Sequence, residues 1–279
     1  MKRNKSFILK NLLVLILTLA AFPLASKLLG TEAGNMPQVI KDNYSESFFI
    51  RNGLKLPAII LLCTAIIIFM LINYHKIKDG IHGNRFAKGI IYGSSFGIVW
   101  LTGFVSMTVF FKPTDMSHFY SGIRDFCILT FFGLLAGWLL SNSSKTKIKR
   151  KPRTLLAIPL VAVFFAIMQG ASFYYTFKPA HITISSFFDV VYLLLSGAWI
   201  GFMYYLFKPG LNFRKKYLGS VFFSFSVFGI NWLLYNAFYN IFVNIPLWDL
   251  LASSLSGILG VFIGLVIYEL VLERKDTSN

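Results

Sequence analysis

The chain has 279 residues, of which 56% are hydrophobic and only 14% charged, with a mean hydropathy of +0.66. Soluble domains average about 25% charged residues, so an ordinary cytosolic enzyme, a disordered tail and a secreted disulfide scaffold are excluded. The few charges are mostly basic, 27 Lys and Arg against 11 Asp and Glu for a net charge of +16, and that balance on so apolar a chain fits a polytopic membrane protein.

A membrane-spanning helix needs about 17–25 predominantly apolar residues. Eight such runs follow one another: Phe7–Leu29, Pro57–Tyr74, Gly89–Phe111, Asp125–Ser141, Thr154–Phe177, Ile184–Phe207, Tyr217–Val243 and Leu247–Val271. The third and fifth contain no charge at all, and neither do the second and seventh within these bounds. In the first, Lys10 and Lys27 lie near the ends, where long stems let an ammonium reach the interface. This run resembles a secretory signal, but cleavage after Ala25 would put Pro23 at a position that wants a small residue. A retained helix is therefore expected. The reading is an all-α polytopic membrane protein, a single integral domain of eight transmembrane helices, with hairpins at about 7–74, 89–141, 154–207 and 217–271.

The basic residues orient these helices. With the N-terminus inside, the inner segments hold Lys2, Arg3, Lys5 and Lys10, then Lys76, Lys78, Arg85 and Lys88, then six basic residues within the loop 142–153. They continue with Lys208, Arg214, Lys215 and Lys216, and end with Arg274 and Lys275. That is 20 inside against 7 outside, and adding or removing one helix would scramble the alternation. The expected place is the cell membrane with both termini cytoplasmic. The basic loops would attract anionic lipid by about 1 kcal/mol per residue near the surface. No nucleic-acid-binding fold accompanies the charge, so nucleic acid is not an expected partner.

Self-similarity suggests a repeat. Phe96-Gly97-Ile98-Val99-Trp100-Leu101 in the third run matches Phe228-Gly229-Ile230-Asn231-Trp232-Leu233 in the seventh at five of six positions. Phe-Lys-Pro recurs at Phe111 and Phe177, and an aspartate followed eight residues later by glycine recurs at Asp125, Asp189 and Asp249. The expectation is three parallel copies of one hairpin, helices 3–4, 5–6 and 7–8, with helices 1–2 a degenerate fourth. Glycines at four-residue or similar spacing mark helix faces: Gly89, Gly93 and Gly97; Gly133 and Gly137; Gly197 and Gly201; Gly257, Gly260 and Gly264. Small residues so spaced let helix backbones approach closely in lipid. Packing within the chain is expected from them, together with a homo-oligomer or another membrane protein as partner.

The polar minority carries any chemistry. Asp125, Asp189 and Asp249 occupy one repeat position near the outer starts of helices. They form either a ring of carboxylates for a cation or proton, or charges placed to suit helix N-termini. Asn231, Asn236 and Asn240 on the seventh helix, with Gln169 on the fifth, either bond between helices or line a polar cavity. Glu269, near the inner end of the eighth helix and close to Arg274, is expected either to reach the interface or to form a pair there. His75, His82, His118 and His181 show no metal-site spacing, so no metal is expected. Cys63 and Cys127 lie within helices and lack a His–acid partner nearby in sequence. No nucleotide loop, nucleophile elbow or paired catalytic acid is present, so neither cofactor nor enzymatic activity is expected. Two functions remain: a transport-type or small-ligand protein with a site in the outer half, or a non-catalytic membrane subunit, immunity factor or regulator.

Overall fold

The computed structural model describes residues 2–29, 42–111, 116–142, 148, 151–176, 186–213 and 215–273. The Phe-Lys-Pro triplets and the core of the basic loop fall wholly or largely outside them. Eight helices are long and apolar enough to cross a membrane. They are α1 (Lys2–Leu28), α2 (Lys55–Ile77), α3 (Arg85–Phe111), α4 (Ser117–Leu140), α5 (Ala157–Thr176) and α6 (Phe187–Phe207). α7 runs through Lys216–Phe222, a π-helical stretch Phe223–Gly229, and Ile230–Tyr239. α8 (Leu247–Ile267) continues as a π-helical turn, Tyr268–Glu273. No strand occurs among the described residues, only an isolated bridge between Glu46 and Val243.

Two boundaries differ from the sequence expectation in ways that matter. α4 begins at Ser117, about two turns before Asp125. Its opening stretch, Ser117 to Arg124, is too polar to register as a span, yet nothing in it breaks a helix. Asp125 therefore lies well inside α4, whereas Asp189 and Asp249 stand in the first turns of α6 and α8. The three repeat positions are not equivalent in depth along their helices.

Backbone approach organises the packing. α3 and α4 run antiparallel with glycine against glycine: a Cβ built on Gly93 would meet Leu129 and Gly133, and one on Gly137 would meet Arg85 and Gly89. Gly97 faces Phe126 in the same way. In α6, Gly197 and Gly201 face Ala162 and Ile158 of α5. α8 behaves differently. Gly260 and Gly264 turn to α5, opposite Phe165 and Val161, rather than to α7, the preceding helix, while Gly257 faces both Gln169 of α5 and Trp232 of α7. α5 is thus held between α6 and α8, and α7 packs across α8 and against α2. α1 lies at the periphery against α4 and α2.

Aromatic rings fill the interior. In the half nearer the basic loops, Tyr92 gathers Tyr74, Phe96 and Phe207 with ring centroids 5.0, 5.0 and 5.6 Å away. This joins α2, α3 and α6 at one point, and the Tyr92 hydroxyl donates to the Met70 carbonyl at 2.7 Å. At the opposite end the α1–α2 and α7–α8 connections are tied together. Ser47 N–H donates to the Phe242 carbonyl at 3.1 Å, and Asn244 N–H to the Ser45 carbonyl at 2.8 Å.

Candidate functional site

A cavity lies between α3, α5, α6 and α7, in the half of the bundle that carries the α3–α4, α5–α6 and α7–α8 connections. The space between its walls not filled by atoms is about 540 Å³ with open solvent included, of which only a small part is enclosed. Its walls are aromatic, with Phe165, Phe173, Tyr192, Trp232, Tyr235 and Tyr239, and its polar groups are neutral. No charged side chain lines it among the described residues. Apolar walls with a few placed polar groups are the common make-up of a small-molecule site.

Most of these polar groups are already engaged. Thr102 Oγ1 donates to the Val99 carbonyl at 2.8 Å and Ser196 Oγ to the Tyr192 carbonyl at 2.9 Å. The Tyr192 hydroxyl donates to the Thr102 carbonyl, and the hydroxyls of Tyr235 and Tyr239 bond each other. Asn236 Nδ2 donates to the Trp232 carbonyl one turn earlier, at 2.9 Å. Gln169 Nε2 reaches Ser253 Oγ of α8 at 3.3 Å. Two atoms are left over: Gln169 Oε1 and Trp232 Nε1 are buried without a hydrogen-bond partner.

The other predicted polar residues are dispersed. Asn231 Oδ1 accepts from Trp100 Nε1 at 2.7 Å, an interhelical bond between α7 and α3. It also joins the two matching six-residue segments, at the one position where they differ. Asn240 caps α7, and its Oδ1 accepts from the Ile245 N–H at 3.2 Å. Asp125 is buried against Arg124, with Oδ1 2.7 Å from Nε, and the guanidinium lies 4.6 Å from the centre of the Phe22 ring of α1. Asp125 borders a second, almost wholly apolar cavity between α1, α2, α3 and α4. Asp189 makes a capping box: its N–H donates to Ser186 Oγ at 3.2 Å, and its Oδ2 accepts from the Ser186 N–H at 3.0 Å. Asp249 opens α8 near Tyr44. Burial, reinforced by Asp249, raises the Tyr44 phenol above its ordinary value.

A further polar cluster was not anticipated. Glu269 is buried and forms a pair, with Lys208 of the α6 end, Nζ to Oε1 3.1 Å. The same oxygen accepts from the Tyr204 hydroxyl at 2.5 Å and Ser220 Oγ at 3.3 Å. Lys208 Nζ also donates to the Tyr268 hydroxyl at 3.0 Å, 4.4 Å from the centre of that ring. The cluster borders a pocket lined by Pro209, Asn212 and Phe213 at the end of α6. An acid amid the apolar residues of the eighth run was a visible signal, but its partner 61 residues away was not.

Of the histidines, His75 Nε2 bonds Asn11 Oδ1 at 2.9 Å, His118 is buried in the first turn of α4, and His181 lies outside the described residues. No group of three or more His, Cys, Asp or Glu side chains able to hold a metal ion gathers among the described residues. Compared with known proteins, the chain matches no family model, no curated protein and no solved structure.

Proposed function

We propose that this is a transport-type membrane protein that binds a small polar solute in the aromatic cavity between α3, α5, α6 and α7. The observation that carries the reading is the lining: neutral amides and hydroxyls set in aromatic walls, with Gln169 Oε1 and Trp232 Nε1 left without partners. A buried cation would need a nearby counter-charge, and the aspartates lie elsewhere, one paired with arginine and one in a capping box. A neutral solute therefore suits the cavity better than a metal ion or proton.

The protein sits in the cell membrane with both termini cytoplasmic, held by its basic loops against anionic lipid, and the cavity opens in the outer half. It has no cofactor and catalyses no reaction. Its hairpins descend from parallel repeats, with the third diverged so that its final helix serves α5, and close glycine contacts hold them together. The test is solute uptake by reconstituted proteoliposomes across a panel of small neutral and cationic compounds. Gln169→Leu and Asn236→Leu should each lower uptake of a neutral solute by about tenfold, and Asp189→Asn should spare it. Loss with Asp189→Asn alone would move the site to the carboxylates and overturn the proposal.

A second reading, a non-catalytic subunit that works through its surfaces and forms homo- or hetero-oligomers, is favoured by α1. That helix leaves Leu9, Leu24 and Leu28 at 67%, 65% and 85% exposure. Recovery of a stoichiometric membrane partner through α1 would support it, whereas lipid alone covering that face would not.

A further inference from the structure

The two tryptophans of the matching segments have opposite fates. Trp100 is satisfied by Asn231. Trp232 stands in the same place of its own segment, but the residue corresponding to Asn231 is Val99, so the sequence supplies it no equivalent acceptor. Its Nε1 remains without a partner, although only 7% of the residue is exposed. The ring is fixed rather than free to turn away. It stacks on Phe228 and on Tyr235 with interplanar angles of 20° and 15° and centroids 5.8 and 5.3 Å apart.

Gln169 presents the complementary group. Its Nε2 is engaged by Ser253, which orients the amide and leaves Oε1 as an acceptor. Both atoms converge on Gly257 of α8. A Cβ built there would lie 2.5 Å from Gln169 Oε1 and 3.0 Å from Trp232 Nε1. The donor and the acceptor are thus separated by no more than the sum of those two distances, and they do not bond each other. Two hydrogen bonds of about 2.9 Å each, made by one hydroxyl or amide group, are long enough to span any separation within that bound.

We infer that Gln169 Oε1 and Trp232 Nε1, which pack together over Gly257 and both belong to cavity-lining residues, form a clamp for one uncharged hydroxyl or primary amide group of the ligand. The inference rests on the proposed cavity and narrows its ligand class. The group donates to Gln169 and accepts from Trp232, while its apolar remainder lies against the aromatic walls. A site that pairs both hydrogen-bonding functions of one group rejects analogues lacking either one, because the clamp atom then stays unpaired. Charged analogues are rejected for want of a counter-ion in the lining.

The experiment is nitrogen–proton NMR of the tryptophan indoles in the detergent-solubilised full chain, with the Trp232 signal assigned from Trp232→Phe. The probes are acetamide and ethanol, with sodium acetate and methylammonium chloride as charged counterparts. Acetamide and ethanol should shift the Trp232 indole signal saturably, and the charged probes should not. Gln169→Leu should weaken the response about tenfold, the loss of one ordinary hydrogen bond. Gly257→Ala should abolish it, and if that variant fails to fold, Gln169→Leu decides alone. An unmoved Trp232 indole while cavity tyrosine signals shift would overturn the clamp and leave the cavity standing. No shift at any cavity residue would overturn both. Equal shifts from acetate or methylammonium would overturn the neutral ligand class.

Discussion

Gly133→Ala tests the contact on which the α3–α4 pair is built. The added Cβ would stand 2.6 Å from Gly93 Cα and 2.7 Å from Gly93 N, with the Gly89 carbonyl closer still. These obstacles are backbone atoms, so no rotamer change relieves them. Ordinary contact begins near 3.4 Å, and clearing the Gly89 carbonyl at 2.2 Å needs a separation of roughly 1.2 Å at this point, enough to forfeit about half of each dispersion contact along the seam. Overpacking of this kind costs about 1–3 kcal/mol, and in a chain of this size that corresponds to a fall in Tm of about 2–12 °C. Thermal unfolding in detergent, followed by loss of monodisperse protein, measures it. Gly133→Leu should fall further, while Leu61→Ala, at a side chain 73% exposed on α2, should hold near the parent value. Normal expression and an unchanged Tm for Gly133→Leu would refute close backbone approach at this seam.

Two further outcomes are expected. Removing one member of a buried ion pair costs about 3–5 kcal/mol. Lys208, whose side chain is 21% exposed, should give less, about 1–3 kcal/mol for Lys208→Met after solvent screening. The double variant Lys208→Met, Glu269→Leu should recover part of the loss in the same thermal assay, and strictly additive losses would show that the pair is not coupled. Tyr44 titrates above its usual pKa of 10.0 because it is buried and faces Asp249. Its contribution to stability is therefore constant below pH 10 and declines as pH rises from there through the folded-state value. Asp249→Asn should move the Tyr44 midpoint downward, read as phenolate absorbance against a Tyr44→Phe reference, and an unmoved midpoint would separate the two residues.

The spans were readable because a bilayer imposes length and apolarity on each one, a constraint that leaves its mark in every run from Phe7 to Val271. The start of α4 was not, since residues 117–124 form helix without being apolar. Glycine spacing marked which face of α8 packs closely but could not name its neighbour, because α5 and α7 both offer apolar surfaces. Gln169 and Asn236 were singled out as rare amides, and both line the cavity. Tyr235 and Tyr239 stood out among aromatics near helix ends, where an interface belt and an aromatic-lined cavity read alike, and both line the cavity. Trp232 was legible only in retrospect, through Val99 standing where its counterpart has Asn231. Glu269 and Lys208 meet across separate helices, and no local pattern encodes such a pairing.

The placement of α5 has a consequence for the order in which the protein can mature. Gln169 enters the bilayer with α5, but the hydroxyl that receives its amide belongs to Ser253, 84 residues later. Until α8 is made, one long face of α5 has only lipid against it, and its amide has no partner from that helix. Only when Gly257, Gly260 and Gly264 of α8 come up against α5 does that helix gain its second close neighbour besides α6.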